Sequence, residues 1–510
     1  MPKIIDLKTI LLFGAGKSAT VLIDYLLKES IEQNWTLIVA DTDQQLIESK
    51  TLFHKNAETA VTDITDTLAR QQLIQRADIV ISMMPPALHI LVAKDCVDFG
   101  KDLLTASYAD DAIKCLHQEA LEKGIVLLCE MGLDPGIDHM SAMKILDQII
   151  ADGGEVISFK SHCGGLVAPE SDDNPWKYKI SWNPRNVVLA GKAGATYKDN
   201  GLVVQENYED LFDGRKLVDT GIEEIGMLGF YPNRNSLPYL ELYHLHNCPT
   251  FIRTTLRYTD FMYGWKNIVD LKLTDETAFY QTDGMSLQQF FQEHLKAHDF
   301  SDWLEKKLAD SFTQTKSLLE NLTHLMEAEQ KAEIKGEPVP DNFMLVDEAG
   351  ELKNIELEEI KKNAAATMAL QVHEANLTLK QLFFLGMDDN ETLINKGFCS
   401  AADVLQFCLE TKLLLHPQDK DMVLMLHEIS YRKDAKQHHI SSSLMVKGED
   451  SLHTAMAKTV GLPLGIAAKM ILTGRIHLSG LHIPTIKEIY EPVLEELEKC
   501  GIRFTEKHTG

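Results

Sequence analysis

The chain has 510 residues, 45% of them hydrophobic and 25% charged. That is an ordinary soluble composition on a length that calls for two or three domains. A formal net charge of -26 argues against nucleic acid or anionic membrane as the main partner. No apolar run approaches the ~18 residues of a membrane span, and Met1-Pro2-Lys3 lacks a signal-peptide layout. The eight cysteines are scattered without a C-x-x-C, so a reduced, cytoplasmic protein with neither disulfide framework nor zinc site is expected.

The apolar run 9–13 suits a buried parallel strand, and Gly14-Ala15-Gly16-Lys17-Ser18-Ala19 then opens a helical pattern from Val21 to Leu27. This is G-x-G-x-x-A between strand and helix. Gly14 permits the tight turn, Gly16 lets a pyrophosphate approach the backbone, and Ala19 allows close packing. Gly16-Lys17-Ser18 invites a P-loop reading, but the glycine required five positions earlier is Leu11. A second strand, Leu37 to Ala40, ends at Asp41, 22 residues after Ala19. An acid there accepts hydrogen bonds from both ribose hydroxyls of NAD and repels the 2′-phosphate of NADP.

Further strand signals end at Asp63-Ile64, at Met83-Met84-Pro85-Pro86, at Thr105-Ala106-Ser107-Tyr108 and at Cys129. Strands alternating with helical stretches over about 130 residues give the doubly wound α/β pattern. The nonapeptide Gly132-Leu133-Asp134-Pro135-Gly136-Ile137-Asp138-His139-Met140 follows. It delivers two carboxylates and an imidazole to the carboxyl edge of the sheet, where such folds bind ligands, or else it is a plain turn with Asp138 as helix cap. A helix from Met140 to Ile150 comes next.

Residues 157–258 are dense in strand and turn signals, including Lys179–Arg185, and predict a mixed-sheet substrate domain. Residues 286–325 are helical by period. The stretch from about 326 to 380 is acidic and lysine-rich, then alanine-rich from Lys361 to Leu379, and reads as an inserted helical module with no chemistry. Met422–Ile429 and Ile440–Val446 form a hairpin back to the substrate sheet. The last helix, Thr454 to Leu472, is interrupted at Gly461-Leu462-Pro463 and packs on the first domain.

Several motifs carry a resemblance running from near residue 10 to near 505. They are Thr105-Ala106-Ser107-Tyr108, the nonapeptide, Cys163-Gly164-Gly165-Leu166 with Ala168-Pro169-Glu170, and Lys179-Ile180-Ser181-Trp182. Downstream come Tyr231-Pro232-Asn233-Arg234, Thr255-Leu256-Arg257-Tyr258, and the run from Ala455 to Pro463. The chain resembles saccharopine dehydrogenases of the glutamate-forming type and the dehydrogenase half of the bifunctional lysine-degrading enzyme of animals. The resemblance implies an α/β fold in three parts. Residues 1–131 and about 450–510 form a Rossmann NAD-binding domain. Residues 132–310 and about 420–449 form an α/β substrate and dimerisation domain, and 311–419 a small helical insertion. It also implies oxidation of saccharopine with water to glutamate and 2-aminoadipate 6-semialdehyde, in a homodimer.

Carried over by position, Ser107, Tyr108, Arg234, Thr255, Leu256 and Arg257 would contact saccharopine. Gly14, Gly16, Lys17, Ser18, Ala19, Asp41, Asp63, Ile64, Met83, Ala106, Leu133, Asp134 and Pro135 would line the cofactor. Tyr108, Asp134 and Cys163 would handle protons. Where fungal reductases that use NADPH carry an arginine after the second strand, this chain has Asp41-Thr42-Asp43, which favours NAD over NADP and lysine breakdown over synthesis. The acidic stretch near 320–380 has no function in the family.

The chemistry agrees with the residue types. Saccharopine is a secondary amine with three carboxylates, which forked guanidinium groups such as Arg234 and Arg257 recognise better than lysine does. Each proton transfer needs a group titrating near neutrality or a relay, and Asp134, Tyr108, Cys163 and His139 all remain open. The structural alternatives are surface ion pairs for the arginines, a buried thiol for Cys163 and a helix cap for the aspartate. No metal is required. Two other functions compete: a carboxynorspermidine-type dehydrogenase, whose cationic substrate would want acids where the arginines stand, and a non-catalytic NAD-binding sensor.

Overall fold

A computed structural model describes residues 7–52, 54–212, 216–309 and 376–510, with single positions and two short strands between 310 and 375. The chain divides into two compact units. One comprises Met1–Asp173, Lys177–Thr259 and Leu413–Gly510; the other comprises Asn174–Trp176 and Asp260–Lys412.

The first unit contains two sheets. The nucleotide-type sheet has seven parallel strands: β1 (Thr9–Phe13), β2 (Thr36–Asp41), β3 (Ala57–Val61), β4 (Ile79–Ser82), β5 (Asp102–Thr105), β6 (Val126–Leu128) and the late strand Gly480–His482. Their order is Gly480–His482, β6, β5, β4, β1, β2, β3, the doubly wound arrangement. Both faces are covered, which explains the unbroken apolar run of β1: Ile10 and Leu12 enter one core cluster, Leu11 and Phe13 the other.

The mixed sheet is built on β7 (Glu155–Val167). The next strands are β8 (Ala195–Asp199), β9 (Leu202–Glu206), β10 (Leu217–Asp219), β11 (Met227–Pro232), β12 (Arg234–Asn235) and β13 (Thr250–Arg257). The main path runs β10, β11, β13, β7, Asp421–Lys433, Lys436–Lys447, Thr505–Thr509. The expected hairpin is longer than its apolar core suggested. Asp434 and Ala435 turn the chain at φ of 51° and 62°, the geometry of a tight two-residue hairpin turn. β7 and β13 run parallel, with Cys163 opposite Thr255.

Several sequence expectations change. The segment 179–185 is not a strand: it makes one isolated bridge, Ile180 to Leu414, and enters the short helix Pro184–Val188. Its Lys179 is instead anchored by Asp173 at 2.9 Å and Asp419 at 2.7 Å. The helix Ala455–Leu472 runs through Pro463 without interruption. A proline removes its own N–H bond and crowds the carbonyl four residues back, and burial plus firm capping outweigh that cost. The carboxylate of Asp421 accepts Ala455 N at 2.6 Å and Met456 N at 3.0 Å, and Thr454 accepts Ala457 N at 2.9 Å. This helix is also apolar enough, at mean hydropathy 1.4, to pass as a membrane span, but 72% of it is buried in the protein. Gly461 and Gly465 let it approach the helix Thr20–Gln33: a Cβ on Gly461 would lie 2.9 Å from that of Leu22.

Domain limits shift too. The C-terminal strand Thr505–Thr509 joins the mixed sheet, not the nucleotide sheet, because its backbone pairs with the open edge of Lys436–Lys447. The second unit starts at Asp260 rather than near 311, since Phe261, Trp265 and Ile268 of the helix Thr259–Asp270 are buried there. Within 286–325, Leu287–Ala297 is helical. The strands Asn342–Val346 and Leu352–Glu356 pair antiparallel in the region read as a helical module. Most of that region, including most of the alanine-rich run 361–379, lies outside the described residues.

Candidate active site

The carboxyl edge of the nucleotide sheet carries the glycine turn. Gly14 has φ of 98°, and a Cβ there would lie 3.1 Å from the carbonyl oxygen of Met83, so glycine is required twice over. A Cβ on Gly16 would meet nothing within 4 Å, which leaves the backbone open to a phosphate. Gly16 and Lys17 are exposed, Ser18 is half-buried, and Ala19 packs into the core. Asp41, at the end of β2, accepts Ala15 N at 2.7 Å and Asp43 N at 3.2 Å. Lys50 donates to the Gly16 carbonyl at 2.6 Å. These residues fit a dinucleotide: an open glycine backbone with a carboxylate fixed beside it where the ribose would lie.

The remaining cofactor candidates divide. Asp63 is exposed and closes a turn through Thr65, whose amide and hydroxyl hold its carboxyl below the usual range. The Ile64 side chain is buried in a core cluster, so only its backbone can face a cofactor. Leu133 is likewise core. Ala106 touches the nonapeptide, since a Cβ on Gly132 would lie 2.9 Å from its own.

The nonapeptide folds as a tight turn into the helix Ile137–Ala151. Gly132 N donates to Pro135 O at 2.9 Å, and Ile137 N to Gly132 O at 2.9 Å. Gly136, at φ of 146°, has no room for a side chain: a Cβ would lie 2.1 Å from the Gly132 carbonyl oxygen. The turn brings Asp134 and Asp138 to one cation. Nη2 of Arg253, on β13, donates to Asp134 Oδ1 at 2.7 Å and to Asp138 Oδ2 at 2.6 Å. Asp138 also accepts Gly136 N at 2.6 Å. The Tyr108 hydroxyl donates to Asp134 Oδ1 at 3.4 Å. Arg234, exposed and at φ of 54°, places its guanidinium 5.2 Å from the centre of the Tyr108 ring. Ser107 joins a separate chain: its hydroxyl lies 2.8 Å from His89 Nε2, and His89 Nδ1 lies 2.8 Å from Ser82.

The electrostatics separate the proton-handling candidates. Burial pushes the Asp134 carboxyl up to about 6, against the pull of Arg253 and with a push from Asp138. Burial raises Asp138 as well, but the His139 ring and Arg253 outweigh it and hold that carboxyl below the usual range. Burial drives Cys163 well above the usual thiol range, so near neutrality it is a protonated thiol without proton-accepting capacity. Tyr108 is driven up by burial and by Asp134.

His139 is excluded by position. It has no exposed surface, and its nitrogens are engaged by Tyr243 at 2.6 Å and Glu130 at 2.9 Å. Leu256 faces a different cluster with Leu424 and Met422, so its side chain cannot line this site. Arg257, the second cation expected for a substrate carboxylate, stands near the end of β13. It is buried, bonds the Leu256 carbonyl at 2.8 Å, and lies over the Tyr178 ring at 5.4 Å. Thr255, on the strand face of Arg253 and Arg257, is half-buried. Arg253 and Glu130 are the residues that sequence reasoning passed over. Period-two alternation along β13 puts Arg253 on the same face as Arg257, which was a usable signal. Glu130, at φ of 60°, had none.

A doubly wound parallel sheet with an open glycine turn, followed by a mixed sheet whose arginine gathers two aspartates, defines a Rossmann-type dinucleotide-binding protein with a separate substrate sheet. The comparisons agree. The family described as "Saccharopine dehydrogenase NADP binding domain" matches residues 10–128, and "Saccharopine dehydrogenase C-terminal domain" matches 132–502. The chain belongs to the saccharopine dehydrogenase family.

Among relatives, the alpha-aminoadipic semialdehyde synthase of Arabidopsis thaliana is 30% identical over 99% of this chain and 45% of its own length. The mitochondrial enzyme of that name from Bos taurus is 32% identical over 98% of this chain. The chain spans about half the length of both relatives. The Schizosaccharomyces pombe protein named saccharopine dehydrogenase [NADP(+), L-glutamate-forming] is 29% identical over 98% of each chain. The solved apo saccharopine dehydrogenase (L-Glu forming) from Saccharomyces cerevisiae superposes at a TM-score of 0.75, with 27% identity over 99% of this chain and 100% of that one. The cofactor class is thus a nicotinamide dinucleotide. The printed names of the N-terminal family model and of the Schizosaccharomyces pombe relative point to NADP, where Asp41 led to NAD.

Proposed function

We propose that this protein is a saccharopine dehydrogenase, oxidising saccharopine with water and a nicotinamide dinucleotide to L-glutamate and 2-aminoadipate 6-semialdehyde. The observation that carries this reading is that Tyr108, just beyond β5 of the nucleotide sheet, meets both Asp134 through its hydroxyl and Arg234 over its ring. A nicotinamide dinucleotide, held by the Gly14-to-Gly16 turn and Asp41, would supply the hydride-accepting chemistry for the carbon beside the secondary amine. Asp134 takes the proton of that amine, with Tyr108 fixing its carboxylate through the hydroxyl. The resulting imine adds water, and Asp134 returns a proton to the nitrogen as the carbinolamine collapses to aldehyde and glutamate. The sum consumes saccharopine, oxidised cofactor and water, and releases glutamate, semialdehyde, reduced cofactor and one proton. Arg234 is the cation for a substrate carboxylate, and Arg257 for a second.

NAD is our reading of the cofactor, supported by Asp41 and by the absence of an arginine after β2 in Asp41-Thr42-Asp43. A degradative direction, a cytoplasmic setting and a homodimer belong to the same proposal. The eight free cysteines suit a reducing compartment. The test follows the near-ultraviolet absorbance of reduced nicotinamide with saccharopine and either cofactor. No saccharopine-dependent rise with either one refutes the activity, and faster turnover with NADP refutes the NAD reading.

A further inference from the structure

Asp134 sits where several elements converge. It is faced by Tyr108 after β5, by Arg253 of β13, by Asp138 and His139 of the helix Ile137–Ala151 and by Cys163 of β7, while Arg234 reaches the cluster through Tyr108. Arg253 is the cation in contact with it, and its attachment is lopsided. One nitrogen, Nη2, serves both carboxylates, and Nε has no hydrogen-bond partner among the described residues. The two carboxylates are not equivalent. Asp138 is 1% exposed and tied down by Gly136 N, whereas the Asp134 side chain is 13% exposed and turned toward the Tyr108 edge. Two carboxylates on one guanidinium leave the cluster with an excess negative charge. In a buried setting that charge is felt by the carboxylate that is free to exchange a proton.

We propose that Arg253 and Asp138 are positioning residues acting on Asp134 in opposite senses: Arg253 holds it in the site as a carboxylate, and Asp138 draws on the same guanidinium and repels that charge. This rests on the reading of Asp134 as proton acceptor for saccharopine. Asp138 keeps the proton affinity of Asp134 high enough for it to return a proton to the leaving nitrogen. Arg253 keeps it low enough for Asp134 to be ionised near neutrality. Burial, the third influence, is common to both.

The pH dependence of kcat/KM for saccharopine tests this in wild type, Asp138→Asn and Arg253→Gln. Asp138→Asn is expected to move the acid limb to lower pH, and Arg253→Gln to higher pH, by about one pH unit each. A role limited to holding the fold would change amplitude without shifting the limbs in opposite directions. Asn at 138 can still accept Gly136 N, so this variant should fold. If Arg253→Gln does not fold, Asp138→Asn decides alone, and a limb unmoved or raised overturns the proposal.

A second readout needs no turnover. In cofactor-free protein, the melting temperature of wild type minus that of Asp134→Asn, followed against pH, reports the Asp134 titration, and Asp138→Asn should move its midpoint down. If saccharopine is not a substrate, turnover is absent while that midpoint still moves. If the positioning proposal fails, turnover persists and neither limb nor midpoint moves.

Discussion

The guanidinium of Arg253 lies 4.3 Å from the centre of the Tyr239 ring, so a buried cation already shared by two carboxylates is also held against an aromatic face. Tyr239 in turn stacks on His139 at 5.2 Å and donates to Glu130 at 3.3 Å. The cation is therefore fixed on one side by charge and on the other by a ring quadrupole. Replacing Tyr239 by Leu should lower stability by about 1–2 kcal/mol, from the lost ring contact and the lost hydrogen bond. Denaturant unfolding measures this, and an unchanged midpoint would show that the ring contributes nothing.

Asp134→Asn keeps the side-chain shape and removes the proton acceptor. kcat should fall roughly 10²–10⁴-fold while cofactor affinity changes little. Steady-state rates and a cofactor binding titration separate the two effects, and near-wild-type turnover would move proton transfer to another group.

Asp134 also leaves a mark on stability. Its folded proton affinity lies above the unfolded value, so its contribution is fully present below about pH 4 and is lost as pH rises through about 6. Thermal melts of wild type and Asp134→Asn should therefore converge at low pH and separate above about 6, with the variant the more stable there.

His427 has the opposite sign. It is fully buried, contacts the Ser141 hydroxyl at 2.7 Å, and burial lowers it to about 4. Its neutral form is favoured in the fold, so stability is full above about pH 6.5 and falls as pH drops toward 4. His427→Phe should flatten that acid decline between about 6.5 and 4 relative to wild type. A decline of unchanged steepness would assign it to other groups.

Gly136→Ala tests the turn. A methyl group there would overlap the Gly132 carbonyl, at a φ that L-residues rarely adopt, so the variant should lose more than about 2 kcal/mol. Gly16→Ala, where a Cβ meets nothing within 4 Å, should fold normally and lose dinucleotide affinity. Melting temperatures and cofactor titrations for the pair check both expectations.

Much of this was readable in the residues. β1, the glycine turn, Asp41 and the nonapeptide declare themselves because a buried parallel strand is apolar throughout and a phosphate turn needs glycine at fixed steps. Alternation along β13 puts Arg253 on the face of Arg257, but its partner Asp134, 119 residues away in the chain, is fixed only by the fold. The uninterrupted helix through Pro463 depends on Asp421, 34 residues from Ala455, whose capping no local propensity reveals. The strand Thr505–Thr509 is exposed at every position and so carries no alternation to find.

That last strand and its neighbour Gly480–His482 have a consequence for synthesis. The nucleotide sheet gains its edge partner for β6, and the mixed sheet its outer strand, only from residues that follow the other strands of both sheets in the chain. Until those residues have been made, both sheets present a raw hydrogen-bonding margin to the crowded cell, the condition that invites aggregation. A chain stopped shortly before Gly480 would leave two margins open at once, so chaperone dependence should concentrate in the interval before those strands emerge.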